Sequence, residues 1–136
     1  MEKIKLPETH ENEMIDITKQ VQQIVSKSKT KEGIVTVFVS GSTGALTTIE
    51  YEPGLLEDFP KMLERIAPTN MAYKHVLQWH DGNGHSHVKA SLLGPSITIP
   101  FENGKLCLGE WQQIIFIELD IKPRHREIII QITKSI

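Results

Sequence analysis

Three β-branched stretches constrain this chain more than anything else in it: Ile34–Val39 (IVTVFV), Gln112–Leu119 (QQIIFIEL) and Arg126–Thr133 (REIIIQIT). Each is short and rich in Ile, Val and Phe, the composition of a strand. The first is almost unbroken, which predicts a central strand covered on both faces. Upstream of the second, Ile97, Ile99 and Phe101 alternate with Ser96, Thr98 and Pro100. Asn103-Gly104 then gives a two-residue hairpin signal before Leu106 and Leu108. The last four strands therefore run without an intervening helix. With KIKLP as an edge strand and Ala45–Tyr51 as another, the expectation is an α+β fold. It is a single compact domain over residues 1–136, a mainly antiparallel sheet or sandwich of about six to eight strands with about two helices.

The helices are read from periodicity. Asp16 can cap a segment whose apolar positions Ile17, Val21, Ile24 and Val25 form one stripe. Leu55, Leu56, Phe59, Met62, Leu63 and Ile66 recur at helical spacing, with Pro60 inside the pattern, so that helix is expected to begin near Asp58 or to kink there. Tyr73 to Trp79 reads as extended, delivering the chain to an Asp81-Gly82-Asn83-Gly84 turn.

Composition narrows the partners. A formal net charge of -2 gives no broad basic face for nucleic acid or an anionic membrane. No apolar run approaches a membrane span, no signal segment opens the chain, and the single Cys107 has no internal partner, so a reducing, cytoplasmic setting is expected. Cys107, between two leucines, is read as a buried inert thiol.

Candidate chemistry gathers in one polar stretch. His75, His80, His85 and His87, four of six histidines, interleave there with Asp81 and lead to Lys89 and Ser91. On extended backbone His85 and His87 share a face, as metal ligation requires; on a helix they diverge. Extended backbone is expected, with His75, His85 and His87 as ligands of a divalent metal (Zn or Mg) and Asp81 or Glu50 as oxygen donor. Lys89 and Ser91 share the parity of His87 and add a cation and a hydroxyl for a bound phosphate or cofactor. Ser40-Gly41-Ser42-Thr43-Gly44 lacks the P-loop lysine, and is either a tight strand connection or a nest of N–H groups for an anion, with the Ser42 and Thr43 hydroxyls beside it.

VFVSGSTGALTTIEYEPGLLEDF, then YKHV, DGNGHSHVKASLLGPSITIPFENGKL and LGEWQQIIFIE, resemble the YjbQ-like family, often labelled secondary thiamine-phosphate synthase. The resemblance covers about Asp16 to Ile132. It implies a compact α+β homotrimer with sites near subunit boundaries. It also implies a weak ability to join hydroxymethylpyrimidine diphosphate to thiazole phosphate. His87, Asp81 and Glu50 correspond to family positions expected to be catalytic, and His75 to the family's histidine after an aromatic. Many members carry His-Thr-Thr or His-Thr-Ser where this chain has Gly41-Ser42-Thr43, and His85 is expected to replace that imidazole. A metal-dependent hydrolase of a phosphorylated metabolite, or a non-catalytic trimeric ligand-binding protein, uses the same groups.

Overall fold

The computed structural model of the chain describes residues 1–136, all in one α+β unit of eight strands and four helices. In chain order these are β1 (Glu2–Thr9), β2 (Met14–Asp16), α1 (Thr18–Lys27), β3 (Glu32–Val39), β4 (Gly44–Ile49), α2 (Pro53–Ile66), α3 (Lys74–Trp79), α4 (Gly84–Leu93), β5 (Ser96–Glu102), β6 (Lys105–Leu106), β7 (Gln113–Glu118) and β8 (Arg124–Lys134). One sheet has the order β1-β8-β3-β5-β6 and the other β2-β7-β4, and every pairing is antiparallel.

The two sheets face one another over a core of Val35, Val37, Val39, Leu46, Ile99, Phe101, Ile114, Phe116, Ile128 and Ile130. Helix α1 adds Ile17, Val21 and Val25 to that core. The cap position of α1 is Ile17, which makes no side-chain capping bond; Asp16, one residue earlier, accepts from the Thr18 N–H at 2.9 Å. On the other face of the small sheet, Ala45, Ile115, Ile117 and Leu119 pack against Leu63 of α2 and Ala90 of α4. The molecule thus has three layers, large sheet, small sheet and helices, and β7 is the strand covered on both sides. Its run IIFI is buried throughout, whereas β3, central in the large sheet as expected, alternates and leaves Ile34 39% and Phe38 37% exposed. The outer face of the large sheet has no covering layer, so composition alone placed the doubly covered strand in the wrong sheet.

Two further corrections concern helices. Helix α2 begins at Pro53, because the Glu52 carboxylate accepts from the Gly54 and Leu55 N–H groups at 2.8 and 2.6 Å, and it runs through Pro60. Residues 74–79 and 84–93, expected to be extended, are α3 and α4. Helix α4 buries His85, Ser86, Lys89 and Ala90; this is a helical stripe, but most of it is polar, which hides it from an apolar pattern search. Cys107 is exposed, not buried. No helix is long and apolar enough to cross a membrane.

Candidate functional site

Helix α3 ends at His80, which takes the left-handed conformation at φ 56°. Gly82, at φ 70°, turns the chain again before α4. Gly84 then allows α4 to start close against Tyr73, since a Cβ there would lie 2.4 Å from the Tyr73 Cβ. This tight reversal brings the His75 and His87 rings into tilted contact, with centroids 4.3 Å apart and planes inclined at 51°. His75 Nε2 lies 3.4 Å from Asp81 Oδ2 and 3.1 Å from the Asn83 amide oxygen. Turned over, the same amide donates to both Asp81 oxygens, at 2.8 and 3.1 Å.

Asn83 precedes the first residue of α4 yet its side chain makes no capping bond; it is spent on the site instead. Its amide nitrogen reaches Asp120 Oδ1 at 3.3 Å. Asp120 Oδ2 accepts from Arg124 Nε and Nη2 at 2.9 and 2.6 Å and from the Thr43 hydroxyl at 3.0 Å. Two residues back along β7, Glu118 takes Arg126 Nε and Nη2 at 2.8 and 2.6 Å, and the Thr9 hydroxyl at 2.8 Å. Arg126 Nη2 also donates to Thr43 at 2.8 Å. Glu118 and Asp120 are fully buried, so this ladder closes one end of the sandwich and holds the floor of the histidine site.

The charges follow from these contacts. Burial alone pushes the Asp120 carboxyl up, but Arg124, Thr43 and Asn83 together hold it at about 2. The His87 imidazole lies below the usual histidine range, first because it is partly desolvated and next because His75 is beside it; Asp81 and Asp120 pull the other way. His87 is therefore neutral at pH 7, a proton acceptor facing a second imidazole and a carboxylate.

Of the residues singled out in the sequence, His75, Asp81 and His87 converge here. Ser91, one turn beyond His87, shares a shallow depression with it, beside Val88 and Leu92. The others go elsewhere. With residues 84–93 helical, His85 diverges from His87 and buries its ring, placing Nε2 2.8 Å from Glu11 of the β1–β2 loop. No three His, Cys, Asp or Glu side chains are grouped so as to hold a metal ion; the set His75, His85 and His87 does not fit a Zn or Mg centre, because His85 turns away to Glu11. Lys89 is buried and donates to Glu64 at 3.0 Å, tying α4 to α2. The Thr69 backbone N–H, against the push of burial and helped by Lys89, holds the Glu64 carboxyl at about 2. Thr43 has its hydroxyl engaged by Asp120 and Arg126, whereas Ser42 stays exposed. Glu50 follows the far end of β4 from Gly44, roughly 20 Å away at the rise of a strand. Asn83, Glu118, Asp120, Arg124 and Arg126 were missed. The available signal was the pair of acids, Glu118 and Asp120, at alternate positions ending an otherwise apolar strand.

His85 is expected to be structural. His85→Leu should lower the unfolding free energy in urea by about 1–3 kcal/mol, the cost of losing a buried hydrogen-bonded ring, while leaving the lowered titration of His87 unchanged. A stable variant that had lost a bound metal would show the opposite role.

Residues 2–135 match the family model described as UPF0047 protein YjbQ-like. A UPF0047 protein of Archaeoglobus fulgidus is 44% identical over 119 residues, covering 88% of this chain and 90% of the relative. YugU of Bacillus subtilis is 32% identical over 125 residues, 90% of this chain and 91% of its own. A crystal structure from Sulfolobus solfataricus, described as a YbjQ-like protein of unknown function, superposes with a TM-score of 0.92 at 39% identity, covering 98% of this chain and 96% of that one. An uncharacterised Clostridium acetobutylicum protein of the same family gives a TM-score of 0.88 at 37% identity, covering 98% and 100%.

Proposed function

Because the chain belongs to the UPF0047 YjbQ-like family, we propose that it is a transferase of phosphorylated metabolites with a thiamine-phosphate synthase-like activity. In that reaction the thiazole nitrogen attacks the methylene carbon of hydroxymethylpyrimidine diphosphate. The carbon–oxygen bond to the diphosphate breaks, and pyrophosphate leaves with the bonding pair. The ring nitrogen keeps its new positive charge, so the chemistry needs no base at the nucleophile; it needs a proton or a positive group at the departing oxygen.

The observation that carries this reading is the contact between His75 and His87 beside Asp81. The charge of His75 disfavours a second proton on His87. His87 is therefore a neutral imidazole on this wall, and its ring N–H can donate a hydrogen bond to the departing oxygen. Ser91 supports the same wall with a free hydroxyl, and Val88 and Leu92 supply an apolar shelf. Lys89, paired with Glu64, and Glu50, beyond the far end of β4, have no direct part within one chain. The protein is further proposed to work as a cytoplasmic homotrimer, a reading supported by Leu77 at 75%, Trp79 at 66%, Leu92 at 60% and Trp111 at 66% exposure, more apolar surface than a single helical layer needs.

The test is direct. The purified protein is incubated with hydroxymethylpyrimidine diphosphate and thiazole phosphate, and thiamine phosphate and pyrophosphate are quantified. Stoichiometric formation of both, lost in His87→Ala, supports the reading. Release of phosphate from a panel of phosphoesters without thiamine phosphate would replace it with hydrolysis.

A further inference from the structure

The turn between β3 and β4 carries a feature the imidazole chemistry does not use. None of the four N–H groups of Ser40, Gly41, Ser42 and Thr43 donates a hydrogen bond to the protein. Three of these residues are exposed. The Arg126 guanidinium stands against this turn, and Arg124, two positions away on β8 and so on the same face, binds the Asp120 oxygen that Thr43 also contacts. Arg126 spends Nε and Nη2 on Glu118 and Thr43, and its Nη1 has no partner. That atom is not among the sealed, unsatisfied polar atoms of the protein, so it opens toward solvent. A Cβ placed on Gly41 would sit 2.6 Å from Nη1; the guanidinium edge therefore faces the bare backbone of the turn. Arg124 spends Nε and Nη2 on the same Asp120 oxygen that receives the Thr43 hydroxyl, and its Nη1 is likewise unpartnered.

We propose that the Ser40–Thr43 turn and the Nη1 edges of Arg124 and Arg126 form the seat for a phosphate group. Glu118 and Asp120 balance the two positive charges, but they bind the opposite edges of the guanidiniums and so fix both planes. What remains is a set of oriented donors: two charged N–H edges, free backbone N–H groups and the exposed Ser42 hydroxyl. Such a nest suits the equatorial oxygens of a phosphate monoester or diphosphate, for which arginine forks and consecutive N–H groups are matched in geometry. The seat adjoins the imidazoles through a single chain of contacts, Thr43 to Asp120 to Asn83 to His75. A substrate held there by its phosphate would extend toward the His75–His87 pair. The inference rests on the proposed transfer chemistry for its purpose, and deepens it by naming the anchor of the phosphorylated substrate.

Inorganic phosphate is the probe, titrated at constant ionic strength into the intact protein, with the amide resonances of residues 40–43 followed by NMR and chloride as the control. Saturable shifts at those amides are expected with phosphate and not with chloride. Arg124→Gln removes a partly exposed fork, and Gly41→Ala fills the space beside Arg126; each should weaken phosphate binding by about tenfold, the loss of one charge-assisted hydrogen bond. His87→Asn should leave phosphate binding unchanged while abolishing any transfer. Absence of saturable shifts at residues 40–43, or equal affinity in both seat variants with wild-type spectra elsewhere, overturns the seat. Phosphate binding that survives alongside a complete lack of transfer in the wild type overturns the transfer reading and leaves the seat standing.

Discussion

Arg126→Met is expected to lower the unfolding free energy by about 3–5 kcal/mol, because it leaves the Glu118 carboxylate buried without its cation. Glu118 is fully buried, so its carboxylate loses two charge-assisted donors at a position it does not itself share with solvent. The core surrounding them contains fourteen buried apolar residues, each worth roughly 1.5–3 kcal/mol, so the fold itself should survive and urea denaturation should remain a single transition. The double variant Arg126→Met, Glu118→Leu removes both charges and should recover most of the loss, since an apolar pair can replace a buried ion pair at little cost. Equal destabilisation in the single and double variants would mean that packing around Phe116, and not charge, is what Arg126 supplies. Acid acts on the same ladder. Asp120 sits at about 2 in the folded chain against an ordinary 3.8. Its contribution, roughly 2 kcal/mol, is fully present above pH 3.8 and is lost as the pH falls toward 2.

The second large effect is chemical. His87→Ala should reduce turnover by about 10²–10⁴-fold, the usual worth of a positioned acid–base group, with little change in stability because the ring is only half-buried against solvent. His75→Ala should fall in the same range. The two losses should not multiply in the double variant, because the rings are in contact and act as a unit. Independent, multiplying losses would separate their roles. A variant in His85 should behave in the reverse manner, losing stability and keeping turnover per folded molecule.

The architecture was largely legible. The β-branched runs, the Asn103-Gly104 hairpin and the edge strand at the start all lie where their patterns placed them, since alternation and turn chemistry are local signals. What failed failed for identifiable reasons. The α4 helix was concealed because its buried stripe consists of His85, Ser86 and Lys89 beside Ala90, and these polar side chains are tolerated there only through partners distant in sequence, Glu11 and Glu64. No local rule reports such partners. The misread helix then carried the three-histidine metal set with it, since two positions along a helix turn a side chain through slightly more than a half-circle. The site core was half legible: the density of histidines pointed to His75, Asp81 and His87, but the ladder of Glu118, Arg126, Thr43, Asp120 and Arg124 beneath them joins three separate segments. Two acids at alternate positions after IIFI were its one visible trace.

The direct measurement for the central claim, that His75 and His87 form one coupled imidazole pair, is a proton NMR titration of the His87 ring in the wild type and in His75→Asn. In the wild type its midpoint should lie below 6.5. Removing the neighbouring charge should move it upward, because Asp81 and Asp120 then act on His87 with less opposition. An unchanged midpoint near 6.5 in both proteins would show that the rings do not meet, and the account would fail with it.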